Sequence, residues 1–348
     1  MICLFDSSFN KVSSGHEEFY NESLINEVSN AFEIQEIKPF SNLNRNSLNK
    51  LYIFFITFFG FFKTFFSSNR LIIYPTPTIL DIFFIFFFLF FFRKNIIFFQ
   101  RRLFVSKNMK DFIIIKILNY LRKKRKVVFV SDSLEILNKI SCRNKTFLIS
   151  QPTRNIVNFI PDNDINFLKL GAKINFGIMG VLREEKGVHL YEQIIIETLK
   201  KFKNSFFLLH AIALDDYMKK RLFRMKEAFK DERRVLVIDK FLEDNEYTWI
   251  IKNLDYLVTP YDINTYKSGT SGPIFEALSL DTSVISTKLS WATIKFKDSN
   301  IFFMKKASIK AYKEVLDNLE NKSYNSFSNL DNLFKKNWVD TINFSLNL

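Results

Sequence analysis

The chain has 348 residues, which is long enough for two domains, because single hydrophobic cores are usually filled by about 100 to 200 residues. Hydrophobic residues make up 47% and charged residues 25%, a balance that excludes an intrinsically disordered chain. The 50 lysines and arginines outnumber the 36 acidic residues, and the net charge of +14 favours an anionic partner: nucleic acid, acidic lipid or a phosphorylated substrate.

Short apolar runs alternate with segments of helical periodicity through the first half of the chain. The predicted strands are 2–5, 71–74, 96–99 and 127–130. The predicted helices are 16–32, 80–92, 109–121 and 134–140. This alternation predicts a parallel sheet with helices on both faces.

A turn-rich segment, 151–170, lacks a sustained period and is the predicted hinge. Beyond it, the predicted strands are 174–180, 206–210, 235–239, 254–261 and 283–287. The predicted helices are 187–201, 217–229, 247–252, 273–280, 307–320 and 330–338. We therefore expect an α/β protein with two Rossmann-like, doubly wound parallel-sheet domains facing a cleft. Their expected bounds are 1–155 and 156–330, and a C-terminal helix within 331–348 is expected to return to the first domain.

Two apolar stretches, 51–66 and 79–92, contain many of the 43 phenylalanines. Lys63 interrupts the first, and the second runs uninterrupted only after Asp81, whereas a membrane-spanning helix needs about 20 apolar residues. They are predicted to be buried or interfacial helices. The N-terminal residues lack the pattern of a secretory signal, so we expect a cytoplasmic protein.

Basic residues cluster in the first half, in LRKKRK at 121–126 and in QRRLFVSK at 100–107. Together with the two apolar stretches they favour a surface that lies on anionic lipid at the inner face of the membrane. The competing interpretation is a solvated helix C-terminus favoured by the helix dipole. Nucleic acid is disfavoured as a partner because no recognised binding motif accompanies the charge.

Ligands of open α/β sheets bind beyond the carboxyl ends of the strands, so the loops there are the places to search. In FGIMGVLREEKG, a predicted strand ends at Gly180, Arg183 and Lys186 follow, and Gly187 opens a helix. Two cations beside a helix N-terminus suit a diphosphate, because the exposed amides and the dipole add to their charge. The competing interpretation is that both are solvated charges paired with the two glutamates between them.

A second loop begins at Tyr261 and leads through SGTSG into the helix predicted from 273. Its small residues let backbone amides approach phosphate oxygens closely. The candidate contacts in this loop are Ser268, Gly269, Thr270 and Ser271. Glu276, one turn into the helix, is placed to accept two sugar hydroxyls. Each of these residues also has an ordinary alternative role as a turn residue, N-cap or dipole partner.

Taken together, residues 174–287 resemble the donor domain of glycosyltransferase family 4 and its GT-B relatives. The resemblance lies in a G-x-x-R-x-x-K-G loop and a P-Y…S-G loop followed by E-A-L. It implies transfer of a sugar from a nucleotide-diphosphate sugar to a glycan or lipid-linked acceptor, retaining and metal-independent, in cell-surface polysaccharide or glycolipid synthesis. Arg183 and Lys186 would contact the diphosphate, the amides of Ser268 to Thr270 would hold phosphates and sugar, and Glu276 would bind the ribose.

Several positions depart from the family pattern. Ser268 replaces the first of two glutamates, and Asp281 and Ser283 replace a glycine and a proline before a strand, so the chain resembles a divergent member. The alternative is a catalytically decayed GT-B-like protein that binds nucleotide or sugar. In the first domain, Gly15 would face the donor phosphates and His16 would orient an acceptor hydroxyl. A helix-start histidine without further role is the competing interpretation of His16.

Metal and cofactor sites are not expected. Cys3 and Cys142 stand alone without metal-ligand spacing. His189 and His210 also lack partners at ligand spacing, and we expect them in helix and strand packing. The nucleotide sugar is expected as a substrate, with no separate cofactor.

Overall fold

A computed structural model of the chain describes residues 1–6, 15–40, 48–75, 77–100, 109–149, 152, 174–264, 266, 271–289, 292, 300–319 and 330–348. The side chains of 15–19, 110, 134–135 and 330–333 lie outside this description. The chain divides into two compact units, one built from Met1–Pro152 and Asn329–Leu348, the other from Thr153–Lys267 and Ser271–Ser328.

The strands of the described residues are β1 (Ile2–Phe5), β2 (Ile34–Ile37), β3 (Leu71–Tyr74), β4 (Asn95–Phe99), β5 (Val127–Ser131), β6 (Phe147–Leu148), β7 (Ile174–Val181), β8 (Ser205–Ile212), β9 (Val235–Ile238), β10 (Tyr256–Thr259), β11 (Ser283–Thr287) and β12 (Ile301–Met304). The α-helices are α1 (Gly15–Val28), α2 (Lys50–Phe66), α3 (Ile79–Phe91), α4 (Met109–Arg122), α5 (Leu134–Lys139), α6 (Tyr191–Lys201), α7 (Asp216–Phe229), α8 (Asp244–Asn253), α9 (Gly272–Ser279), α10 (Ile309–Leu316) and α11 (Leu330–Leu346).

Each unit contains one six-stranded sheet in which every neighbouring pair is parallel. The order is β2-β1-β3-β4-β5-β6 in the first unit and β12-β11-β10-β7-β8-β9 in the second. Parallel strands are covered on both faces, which explains their nearly continuous apolar sequences. The predicted fold class, with two Rossmann-like parallel sheets, is confirmed.

The C-terminal helix α11 packs against the first sheet on the same face as α1. Trp338 is fully buried there, and its Nε1 donates to the hydroxyl of Tyr20 at 3.3 Å. The Asn95 amide nitrogen donates to the Ser345 carbonyl at 2.7 Å, which joins the start of β4 to the same helix. Residues more than two hundred positions apart in sequence therefore share one core.

The opposite face of the first sheet is covered by α2, α3 and α4. Phe61 and Phe65 of α2 and Phe88 of α3 are buried in one aromatic core beneath these helices. The helix α3 begins at a capping box, in which Thr78 accepts from the Asp81 backbone and the Asp81 carboxylate accepts from the Thr78 backbone. Among the described residues, no helix is both long enough and apolar enough to span a bilayer.

Three strands, β2, β6 and β12, were absent from the sequence prediction. All three are edge strands, where a strand can be short or carry polar residues. β2 (IQEI) carries two polar residues and β6 (FL) has only two residues, whereas β12 (IFFM) is apolar and its sequence did contain the signal. The helix predicted from 187 is also divided: a 3₁₀ turn (Val188–Leu190) precedes α6. The last predicted helix extends to Leu346 rather than ending at 338.

Candidate functional site

Two loops of the second unit meet where neighbouring strands end. β7 pairs with β10, so their carboxyl ends lie at one edge of the sheet. The backbone nitrogen of Asp262, after β10, donates to the carbonyl of Glu185, after β7, at 2.9 Å. The loop with the two predicted cations and the start of the loop with the small residues are therefore in direct contact.

Gly187 makes this contact possible. Its φ of +76° lies in the left-handed region, and an added Cβ would lie 2.0 Å from the carbonyl oxygen of Pro260. No other residue type could bring the two backbones this close. The glycine therefore allows the loop after β7 to pass directly against the loop after β10 before α6 begins.

Lys186 directs its ammonium toward Gly180, since Nζ lies 3.3 Å from where a Cβ at that glycine would be. Burial, and to a smaller extent the neighbouring Arg183 guanidinium, lower the pKa of this lysine to about 8, against an opposing effect of Glu185. Within the described residues no ion pair includes Lys186. A desolvated cation beside a second cation is a site that an anion would stabilise.

Arg183 lies in a more open environment. Its side chain is 52% exposed, and a guanidinium nitrogen lies 3.8 Å from the Glu185 carboxylate, a distance typical of a weak surface pair. Glu184 pairs instead with Arg221 of α7 at 3.7 Å. The alternative that both cations are solvated and paired with the glutamates between them therefore fits Arg183. It does not fit Lys186, whose side chain is largely desolvated.

Tyr261 is a buried link between the loop and α9. Its hydroxyl lies 3.0 Å from the Ser271 hydroxyl, and its carbonyl accepts from Thr287 at 2.7 Å. Burial raises the pKa of Tyr261 to about 12 against the lowering effects of Ser271 and Arg183, so the phenol is neutral at physiological pH. Ser271 is thereby held at the start of α9, while Ser268, Gly269 and Thr270 lie outside the described residues.

Glu276 is buried on α9, with 4% of its surface exposed. The helix ends in a Schellman turn, in which the Thr282 nitrogen donates to the Ala277 carbonyl at 2.8 Å. Asp281 occupies the left-handed position of this turn with φ +59°. Glycine adopts this conformation most readily, and aspartate is among the few other residue types that tolerate it.

The remaining predicted residues lie on other elements of the two units. Gly15 and His16 are the first two residues of α1, inside the helix rather than in the loop before it, and the His16 side chain lies outside the description. His210 is buried on β8, and burial lowers its pKa to about 4, so the ring is neutral at pH 7. His189 is exposed, so the expectation that it packs in a helix is wrong. Among the described residues, no three histidine, cysteine or acidic side chains group as a metal site would require.

Tyr191 was not singled out in the sequence, yet it belongs to the site. It is buried at the start of α6, and its hydroxyl lies 3.4 Å from the Lys186 carbonyl. A tyrosine four residues after the glycine, at the first helical turn, was the available signal. Tyr191 has the pattern of an ordinary core residue, because no neighbouring residue in the sequence indicates that its hydroxyl faces the loop.

No protein-family model matches the chain, and no curated protein matches it in sequence. Solved structures do match. The catalytic domain of starch synthase IV from Arabidopsis thaliana, bound to ADP and acarbose, is 11% identical with a TM-score of 0.69, over 100% of this chain and 99% of that chain. S. aureus MnaA with UDP is 11% identical with a TM-score of 0.64, over 100% and 96%. Anabaena HepE with UDP and glucose is 11% identical with a TM-score of 0.62, over 99% and 96%. At such identities the likeness shows the fold: this chain has the GT-B architecture.

Proposed function

We propose that this protein is a glycosyltransferase that moves a sugar from a nucleotide-diphosphate sugar to a hydroxyl of a glycan or lipid-linked acceptor. The observation that carries the proposal is the desolvated Lys186 ammonium at the sheet edge where the β7 and β10 loops meet. Solved structures of the same fold hold UDP or ADP, which supports a nucleotide as the ligand.

The chemistry we propose is electrostatic. As the glycosidic bond breaks, negative charge grows on the departing nucleotide diphosphate, and a preorganised cation stabilises that charge without reorganising. The backbone of Lys186 is fixed by two contacts: Gly187 packs against Pro260, and the Tyr191 hydroxyl donates to the Lys186 carbonyl. Arg183, more exposed, adds a second cation that can move with the substrate.

The amides at the start of α9 complete this proposal. Ser271 precedes the helix, and its hydroxyl is engaged by Tyr261 rather than by the helix's own backbone. Pro273 has no backbone N–H, so the first turn of α9 offers the N–H groups of Gly272 and Ile274, which have no partner within the helix and together with the dipole favour a phosphate. We propose that Ser268, Gly269 and Thr270 extend this set of amides, and that Glu276 holds the ribose.

The finer points follow from the family resemblance. We propose a retaining, metal-independent transfer in which the leaving phosphate assists the incoming hydroxyl, with Gly15 facing the donor phosphates and His16 orienting the acceptor. Cell-surface polysaccharide or glycolipid synthesis would place the protein at the cytoplasmic face of an anionic membrane. Chelation with EDTA should leave turnover unchanged, and the anomeric configuration of the product, read by NMR, tests retention.

The experiment that tests the proposal is titration calorimetry with UDP, GDP and ADP, followed by a turnover assay with nucleotide sugars of the base that binds. Lys186→Ala should reduce turnover on the order of 10²-fold or more. Lys200→Ala, an exposed lysine of α6, is the matched control and should leave turnover unchanged. Normal turnover in Lys186→Ala would refute the assignment, and tight nucleotide binding with no transfer would favour the catalytically decayed alternative.

A further inference from the structure

The outer sides of α2 and α3 expose aromatic rings in a regular pattern. Phe55, Phe59 and Phe62 on α2 and Phe83, Phe87 and Phe90 on α3 are all at least 44% exposed, and we call these six residues the aromatic face. Both sets have the spacing i, i+4, i+7, which aligns side chains along one side of a helix. The opposite side of each helix is already buried against the first sheet.

The two rows of rings form one surface. Rings of α2 and α3 pack against each other between the rows: Phe54 and Phe84 have centroids 5.2 Å apart, and Phe58 lies 5.7 Å from Phe84. The two helices are therefore fixed side by side, with six large rings facing outward together. A contiguous apolar surface of this kind is rare on a monomeric protein and marks an interaction site.

The segment that carries the aromatic face, residues 50–126, is strongly basic. Asp81 and Asp111 are the only acidic residues between 50 and 126 in the sequence, and Asp81 is buried at the start of α3. Exposed basic side chains include Lys63 on α2 itself and Arg93 just after α3. The basic run that ends α4 adds Lys123 and Arg125, both exposed. Apolar rings bordered by cations complement a surface that is apolar inside and anionic outside.

A second copy of the chain is a poorer match for this surface. A two-fold dimer places the same patch of both subunits face to face, so the cations of one copy would oppose those of the other. Lipid instead pairs the rings with acyl chains and the cations with headgroup phosphates. We infer that the aromatic face docks the first unit on an anionic lipid bilayer, with α2 and α3 lying in the plane of the interface.

Only the biological role of this docking rests on the proposed function. If the protein is a glycosyltransferase, docking would bring its first unit to the hydroxyl of a lipid-linked acceptor at the membrane surface. The docking itself needs no donor and no turnover. It can therefore fail while nucleotide binding at Lys186 succeeds, or succeed while that binding fails.

The test is co-sedimentation of the full chain with vesicles of phosphatidylcholine alone or mixed with phosphatidylglycerol, at low salt. We expect binding to the anionic vesicles that weakens as salt is added. The double variant Phe59→Ser/Phe87→Ser should bind about tenfold more weakly or worse. Lys123→Ser/Arg125→Ser should lose a similar factor, because each basic residue near an anionic surface strengthens binding several-fold.

The matched control is Phe223→Ser. This phenylalanine of α7 is 65% exposed, the same fraction as Phe59, but it belongs to the second unit. The control should bind vesicles as the unmodified chain does, and circular dichroism should show that every variant is folded. No binding to anionic vesicles, or equal binding by the aromatic double variant, overturns the inference. A dimer in analytical ultracentrifugation that Phe59→Ser/Phe87→Ser converts to monomer would assign the face to a second copy instead.

Discussion

Lys186 should make nucleotide-diphosphate binding depend on pH in a range where few other groups titrate. Burial, assisted by the Arg183 guanidinium and opposed by Glu185, lowers its pKa to about 8 in the free protein. A bound diphosphate favours the charged form and so raises this pKa again. Binding near pH 8 is therefore expected to take up a proton.

The size of the effect follows from the shift. With a pKa of about 8, about nine in ten lysines are charged at pH 7 and about one in ten at pH 9, so the affinity should fall about tenfold between them. Near pH 8, about half a proton should be taken up for each nucleotide bound. The neighbouring His210 is neutral across this range because its pKa is lowered to about 4, and an arginine stays charged.

The unliganded protein should show the opposite trend in stability. Unfolded, the lysine has its ordinary pKa of 10.5, whereas the folded protein releases the proton near 8. The unfolded state therefore binds more protons between these values, and this residue's contribution to the free energy of unfolding rises with pH there. Affinity that falls while stability rises would identify one titrating group behind both.

Calorimetry in two buffers of different ionisation enthalpy measures the affinity and the proton uptake together. Lys186→Arg keeps its charge, so its affinity should be flat across the range, and Lys186→Met should bind weakly at every pH. Lys200→Met is the control and should reproduce the unmodified profile. A flat profile for the unmodified chain, or an unmodified profile for Lys186→Met, would show that this lysine does not contact the diphosphate.

Three further predictions concern stability and the shape of the site. Gly187→Ala should lower the free energy of unfolding in urea by about 2 kcal/mol or more and should weaken nucleotide binding. The reason is that φ +76° is strained for alanine and its Cβ would overlap the Pro260 carbonyl. Unchanged binding would contradict this geometry. Asp281→Gly should be more stable than Asp281→Ala by about 1 kcal/mol, since only glycine accepts φ +59° at no steric cost, and equal stability would argue against the left-handed turn. Trp338→Ala should destabilise the first unit by about 3 to 5 kcal/mol, measured as unfolding monitored by far-ultraviolet circular dichroism. Asn343→Ala, at an exposed position of the same helix, is the control and should have little effect.

Two phenylalanine-rich helices show where sequence patterning stops being informative. α2 and α3 are apolar on nearly every side, so no periodicity indicates which rings face the core. Phe61 and Phe88 are buried while Phe59 and Phe87, each beside or near them in sequence, are exposed. Only packing against the sheet makes that choice, because a uniformly apolar helix gains similarly from burying any of its sides.

The order of most strands and helices could be predicted from the sequence itself. A buried parallel strand needs an unbroken apolar run and an amphipathic helix needs a 3.6-residue period, and both patterns are local. The loops with Arg183, Lys186, Tyr261 and Ser271 could be located for the same reason, since polar residues directly after a strand can lie only at the sheet's edge. The edge strands β2 and β6 were not predicted because β2 carries two polar residues and β6 has only two residues, so neither has a clear apolar run.

Only the tertiary structure decided the burial and the pKa values of those loop residues. Arg183 and Glu185 lie near Lys186 in the sequence, but burial is the largest cause of its pKa of about 8, and no local pattern predicts that burial. The contact between Gly187 and Pro260, residues more than seventy positions apart, likewise exists only in the folded chain. The placement of Trp338 in the first core is also a long-range contact. Local sequence sets backbone preference, whereas desolvation and charge depend on which distant segments come to lie alongside, and that is fixed only when the chain folds.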